Sequence, residues 1–401
     1  NATFSKKAAN PALCEGRGLR LLPRSRHRCQ AWQPLSGLRR HRQHQRHPAR
    51  GHLPALRRLD ERIEAHLDGL VVSGATGLAA ARTQLAEADI GLAAGEAFVL
   101  GVLSLRAHDD ALLDSVLGAA AEREDVQRGL ASAFGWVSAA DLRGVVARTL
   151  ASAQPHVQAI ALAACRMHRA DPGPTLGAAL GHAASKLRVA ALRTAAHLSR
   201  RDLRNAVHGA LNDADAEVAL WAAWSACLLG ERKAARAALW SASQGNDERG
   251  RMALQMLMAA SPTDEAADLA RQISAAAQAE PSEPHTRRLI RAMGLLGDAC
   301  FVPWLFERMK SPPHARLAGE AFSWITGADL AAQQLETLEP PPIATGPTEE
   351  PADSEVGLDE DEDLPWPDAA KVQAWWARSD LAKSSASGAR LFRGGPADDA
   401  R

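Results

Sequence analysis

Seven segments recur along the middle of the chain at nearly constant spacing: "VQRGLASAFGW" from Val126, "VQAIALAACRM" from Val157, "LRVAALRTAAHL" from Leu187, "VALWAAWSACLLG" from Val218, "RGRMALQMLMAAS" from Arg249, "TRRLIRAMGLLGD" from Thr286 and "ARLAGEAFSWITG" from Ala315. The steps are 31, 30, 31, 31, 37 and 29 residues. Small residues stand four places in (Ala161, Ala191, Ala222, Ala253) and eight places in (Cys165, Ala195, Ala226). Those offsets share one face of a helix, so each segment reads as a helix with one closely packed side.

Between them lie shorter apolar-periodic segments such as "RNAVHGALND" and "FVPWLFERMK", followed by turn sequences such as "NDADAE" and "KSPPH". The unit is helix, turn, helix, turn. A unit this small cannot bury its own apolar faces and must stack on its neighbours. The expectation is an all-α chain, a right-handed α-solenoid of about seven helix-turn-helix units of about 30 residues. Composition agrees, because only 4% of residues are aromatic, Tyr is absent and Ala occurs 84 times. Ala-rich sequence favours helix and lets helices approach closely. The long step contains "AQAEPSEPHT", which fits a longer loop.

Net charge is zero, but its distribution is uneven. Residues 1–50 carry 12 Lys/Arg against one acid, residues 51–335 carry 29 against 31, and residues 336–401 carry 6 against 15. The spacing sets boundaries accordingly: a basic segment at 1–50, the helical array at 56–335, an acidic Pro-rich linker at 336–365, a short Trp-containing helix at 366–379 and a tail at 380–401, disordered or truncated. From Glu339 to Asp363 there are ten acids and no Lys or Arg, interrupted by prolines, a composition expected to stay extended. After it, "WPDAAKVQAWW" offers Asp368 as a helix N-cap, with Val372, Trp375 and Trp376 on one face. So short a helix is marginal alone and is expected to dock, either on the array's own groove, the favoured reading, or on a partner.

The five cysteines are scattered, with no CxxC pair, and read as reduced thiols. No stretch approaches the roughly 18 consecutive apolar residues of a membrane span, and no signal peptide is visible in the first residues. The expected location is the cytoplasm. The chain begins at Asn1 and its first Met is Met167, which reads as a fragment.

The repeats resemble HEAT-like repeats of the phycobilisome-lyase type. More specifically, "LDERIEAHLDGLVVSG" (59–74), "GDACFVPWLFERMKSPPHARLAGEAFSWITGADL" (297–330) and "DEDLPWPDAAKVQAWW" (361–376) together resemble an uncharacterised family of bacterial HEAT-like proteins encoded near type VI secretion genes. The resemblance spans roughly residues 56–378. It implies an accessory of a Gram-negative secretion system and implies no reaction. Residues 1–50 depart from that family; their Arg, His, Gln and Pro all have codons beginning with C. That leaves an out-of-frame segment, a disordered basic arm and a divergent native helix as open readings.

Chemistry finds little foothold. The fourteen histidines form no HExxH or HxH pair and no Cys/His cluster, and no His-Glu dipeptide of the kind used by di-iron HEAT hydroxylases occurs. Nucleotide-binding glycine motifs and the GxSxG elbow are missing as well. No cofactor, metal or catalytic residue is assigned.

The candidate partner-binding residues are of two kinds. Arg188, Arg249, Arg287 and Arg316 open successive second helices and define either a basic ridge or a ladder of pairs with aspartates such as Asp213 and Asp215. Trp221 and Trp224 share a helical face, and Trp366, Trp375 and Trp376 follow the array; tryptophan is enriched at interface hot spots. The helix at 59–70 is expected to bury Leu59, Ile63, His66, Leu67 and Leu70, leaving Glu61, Glu64 and Asp68 on a charged face. "AERED" (121–125) and "DLARQ" (268–272) read as solvated faces.

Three functions remain. The first is a protein-binding scaffold with one or more protein partners, among them secretion-apparatus components. The second is a nucleic-acid-binding array, disfavoured by the balanced charge of residues 51–335. The third is a phycobilin-lyase-like or chaperone-like activity, which rests on repeat type alone.

Overall fold

The computed structural model describes residues 53–89, 91–337, 339, 341, 360–384 and 390–397. The basic segment 1–50, most of the acidic linker and the last residues of the tail lie outside them. Among the described residues the chain is mostly helix; its only strands are a two-residue pair, β1 (Leu391–Phe392) and β2 (Gly395–Pro396).

Two helices, α1 (Leu53–Val72) and α2 (Gly74–Glu87), precede α3 (Ala94–Ala107) and α4 (Asp110–Ala119). The seven recurring segments then fall in α5 (Glu124–Trp136), α7 (Pro155–His168), α9 (Ser185–His197), α11 (Ala216–Leu228), α13 (Glu248–Ala260), α15 (Glu283–Leu296) and α17 (Pro312–Thr326). Between them run α6 (Val145–Leu150), α8 (Thr175–Leu180), α10 (Arg204–Gly209), α12 (Arg232–Ala242), α14 (Thr263–Ala279) and α16 (Val302–Met309). After the acidic stretch come α18 (Ala369–Arg378) and α19 (Asp380–Ser384).

Local chemistry sets the ends of these helices. Asp109, Asp215 and Asp247 accept hydrogen bonds from free amides of the first turns of α4, α11 and α13, and Ser282 does so for α15. Pro155 and Pro312 occupy the first turns of α7 and α17, where no amide donor is needed. Gly297 and Gly327 end α15 and α17 in the left-handed conformation.

Each odd-numbered helix from α3 to α17 packs on the next odd-numbered one, and the even-numbered helices, mostly shorter, lie beside them. Small residues make the contact close. A Cβ on Gly129 of α5 would stand 2.5 Å from the Ala94 carbonyl oxygen of α3. Gly294 of α15, eight places into its unit, would likewise bring a Cβ within 2.9 Å of Ala321 in α17. Buried side chains tie successive helices through main-chain carbonyls: Thr194 Oγ1 donates to Leu162 O at 3.1 Å, Ser225 Oγ donates to Leu192 O at 2.9 Å, and a His168 ring nitrogen lies 2.7 Å from Phe134 O. Main-chain acceptors are chemically alike from unit to unit, so such ties tolerate wide variation in the side chains around them.

Several sequence expectations are corrected here. Glu64, placed on a charged face, is half-exposed and does more than meet solvent. It accepts two hydrogen bonds from Arg106 and one from the indole N–H of Trp136, at 2.7 to 2.9 Å, and so fastens α1 to α3 and α5. Asp125, within "AERED", is buried, accepting from the Gly91 and Ala93 amides and from Arg123. A carboxylate with this many donors loses little by leaving water.

The described ends of the 336–365 linker are not extended. The amide of Thr337 donates to Trp366 O at 3.0 Å, that of Asp368 donates to Leu335 O at 2.8 Å, and Asp361 is buried. The reason is ion pairing: arginines of the array neutralise the acids that would otherwise repel one another. The tail forms structure too. The amides of Leu391, Arg393 and Gly394 donate to Gly297 O, Trp324 O and Ile325 O, while the Arg390 guanidinium donates to Met258, Ser261 and Leu295 carbonyls at the ends of α13 and α15. The hairpin supplies donors to helix ends that lack partners.

Candidate partner-binding surface

The candidate residues divide by what they touch. Arg188 donates to Asp213 at 3.0 Å and to the carbonyls of His182 and Ala183, so it belongs to the ladder and not to a free ridge. Arg249 pairs with Asp247 at 3.0 Å. Arg287 grips Asp361 with both terminal nitrogens, at 2.8 and 2.7 Å, and also reaches Glu360 and Pro313 O. Burial opposes the charge on Arg287, but its hydrogen bonds with Asp361 outweigh this and raise its pKa. Arg316 is buried with its guanidinium 4.9 Å from the Trp366 ring centre.

Trp375 and Trp376 are also turned inward. Their rings stand edge-on to Phe322 of α17, at 5.7 and 6.3 Å between centroids. Asp368 caps α18 by accepting from the Ala370 and Lys371 amides, and Val372 and Trp376 are buried in the core that includes α16 and α17. Arg287, Arg316, Trp366, Trp375 and Trp376 therefore hold the C-terminal segment on the end of the array. Their guanidinium groups and indole rings are engaged by contacts within the chain. Beside this segment lies a cleft of about 490 Å³, bounded by Arg251, Met252, Arg291, Trp324, Glu360 and Leu364. Arg251 and Arg291 both bond Glu360 there, at 3.0 and 3.2 Å.

Trp221 and Trp224 are different. They are three apart on α11, half-buried, with ring centroids 5.6 Å apart. The Arg193 guanidinium of α9 lies 4.2 Å from the Trp221 ring centre. Arg193 Nε is buried with no hydrogen-bond partner. Burial, reinforced by the charge of Arg166, lowers Arg193 to about 10, and Glu217 opposes this only through space. Burial alone lowers Arg166. Next to these residues in sequence, Met167 and Leu228 are exposed apolar side chains, 42% and 51% accessible.

Sequence reasoning found the tryptophans and missed Arg166 and Arg193. The available signal was register: Arg193 lies six places into its unit and Trp224 six places into the next, so the two occupy the same slot of successive helices.

Among the described residues, no group of three His, Cys, Asp or Glu side chains is placed to hold a metal ion. Cys165 and Cys227 are buried thiols, and burial pushes Cys227 up to about 11. No described helix is long and apolar enough to cross a membrane. No protein-family model matches the chain, and no curated protein matches it.

Proposed function

We propose that the chain is a non-catalytic scaffold for protein–protein interaction: a right-handed α-solenoid of HEAT-like helix pairs that serves as a cytoplasmic accessory of a bacterial type VI secretion system. The observation that carries the scaffold reading is the Trp221–Trp224 pair, two indole rings 5.6 Å apart and half-exposed on a helix of the array. A large aromatic side chain kept partly in water is a ready anchor for a partner, and stacked repeats present it on a rigid, extended surface. The secretion-system assignment is supported by the motifs at 59–74, 297–330 and 361–376 alone.

Affinity capture tests it. Immobilised full-length chain, offered cytosol of a Gram-negative bacterium carrying type VI genes, is expected to retain a secretion-apparatus protein, and Trp221→Ala with Trp224→Ala is expected to abolish retention. Recovery of the same proteins by both forms would remove the aromatic pair from the interface. Recovery of no specific protein would count against the scaffold itself.

A further inference from the structure

The array already shows how it holds an acidic chain. The stretch "EDEDLPWP" (360–367) reaches the array through its acids, with Glu360 on Arg251 and Arg291 and Asp361 on Arg287, and its Trp366 lies under Arg316. Arginines on successive odd-numbered helices take carboxylates, and an arginine–aromatic contact takes the apolar residue that follows.

Farther along the same row of helices the cations are present, and the nearby carboxylate, Glu217, acts on Arg193 only through space, with no salt bridge between them. Arg193 lies over the Trp221 ring within reach of the charge of Arg166, its Nε is buried without a hydrogen-bond partner, and neither arginine forms a salt bridge among the described residues. A half-buried arginine pair with no carboxylate bonded to it has lost hydration without replacing it, and an incoming carboxylate would restore what burial removed. Trp221 and Trp224 supply the aromatic surface beside them.

We propose that α7, α9 and α11 bind an acidic, aromatic-bearing peptide segment of a partner protein, with Arg166 and Arg193 taking its carboxylates and Trp221 and Trp224 its apolar side chain. The proposal rests on the scaffold reading and names the partner's chemistry. A nucleic acid fits less well. It needs a continuous track of free cations, and those of neighbouring turns are neutralised: Arg148 by Asp110 and Asp114, Lys186 by Glu124, Arg188 by Asp213 and Arg200 by Asp171 and Asp202.

The probe is a fluorescein-labelled peptide copying residues 358–367, titrated into the full chain by anisotropy. Binding that weakens with added salt is expected, and Arg166→Ala with Arg193→Ala should reduce affinity by about tenfold or more. A peptide with Asn and Gln in place of Asp and Glu should not bind; this arm leaves the protein unaltered, so it does not depend on the variant folding. Absence of binding by the acidic peptide, equal binding by the double variant, or tighter binding of a single-stranded DNA oligonucleotide would each overturn the proposal. The two readings also fail separately. A captured partner whose retention is unaffected by Arg166→Ala with Arg193→Ala preserves the scaffold and overturns this site, whereas peptide binding without any captured partner leaves the site and removes the scaffold's support.

Discussion

Arg287 and Asp361, 74 positions apart in sequence, meet through two parallel hydrogen bonds of 2.8 and 2.7 Å, with side chains only 13% and 7% exposed. The pair joins the acidic stretch to the opening turn of α15. Removing one member of a buried pair leaves the other desolvated, at a cost of about 3–5 kcal/mol. Arg287→Ala is therefore expected to release the stretch, seen as faster hydrogen exchange over residues 361–376. Exchange at the parental rate would show that the packing of α18 suffices without the pair.

The tryptophans should separate by role. Trp376 is buried against Phe322, so Trp376→Ala is expected to cost about 3 kcal/mol or more in denaturant unfolding, within the range for large-to-small core changes. Trp221→Ala, at a half-exposed site, should cost clearly less while weakening partner capture. Equal losses of stability would place Trp221 in the core and undercut its assignment as an anchor.

Close helix approach makes Gly129 sensitive. Gly129→Ala would drive a methyl into the Ala94 carbonyl oxygen and the Ala97 side chain, at 2.5 and 2.7 Å before any relaxation. Both neighbours belong to a helix and cannot move independently, so a loss of about 1–3 kcal/mol is expected. Gly118→Ala, where a Cβ would meet nothing within 4 Å, is the matched comparison and should not destabilise α4.

Asp125 gives the fold an acid dependence. Burial by itself raises this carboxyl, but hydrogen bonds from Arg123 and from the Ala93 and Val126 amides outweigh it and hold the pKa at about 2. A depressed carboxylate contributes stability that is fully present above its unfolded pKa, about 3.9, and is lost as pH falls through its folded value. The contribution is about 2 kcal/mol. Asp125→Asn should be less stable than the parent at neutral pH, with the gap closing between about pH 4 and pH 2. A gap that stayed constant across that range would show that Asp125 is not ionised in the folded chain.

The periodicity placed the seven recurring helices because small and apolar residues repeat at offsets that only a helix brings to one side, a property of the backbone itself. The N-cap role of Asp368 was legible for the same reason: a cap acts within its own turn. The fates of the charged residues were not legible. Glu64 read as one acid of a charged face, Asp125 as a solvated acid, and Arg287 and Arg316 as either a ridge or a ladder of local pairs, because their partners Arg106, Trp136, Arg123, Asp361 and Trp366 are not identified by periodicity. Whether an arginine is neutralised depends on which carboxylate the folded chain brings within about 3 Å, and periodicity carries no information about that. Sequence alone determined the helices and their repeat; tertiary structure decided that Arg287 pairs with Asp361 and Arg316 covers Trp366, while Arg193 lies over Trp221 with no carboxylate bonded to it, since ion pairing and burial act through space between elements that the chain order does not make neighbours.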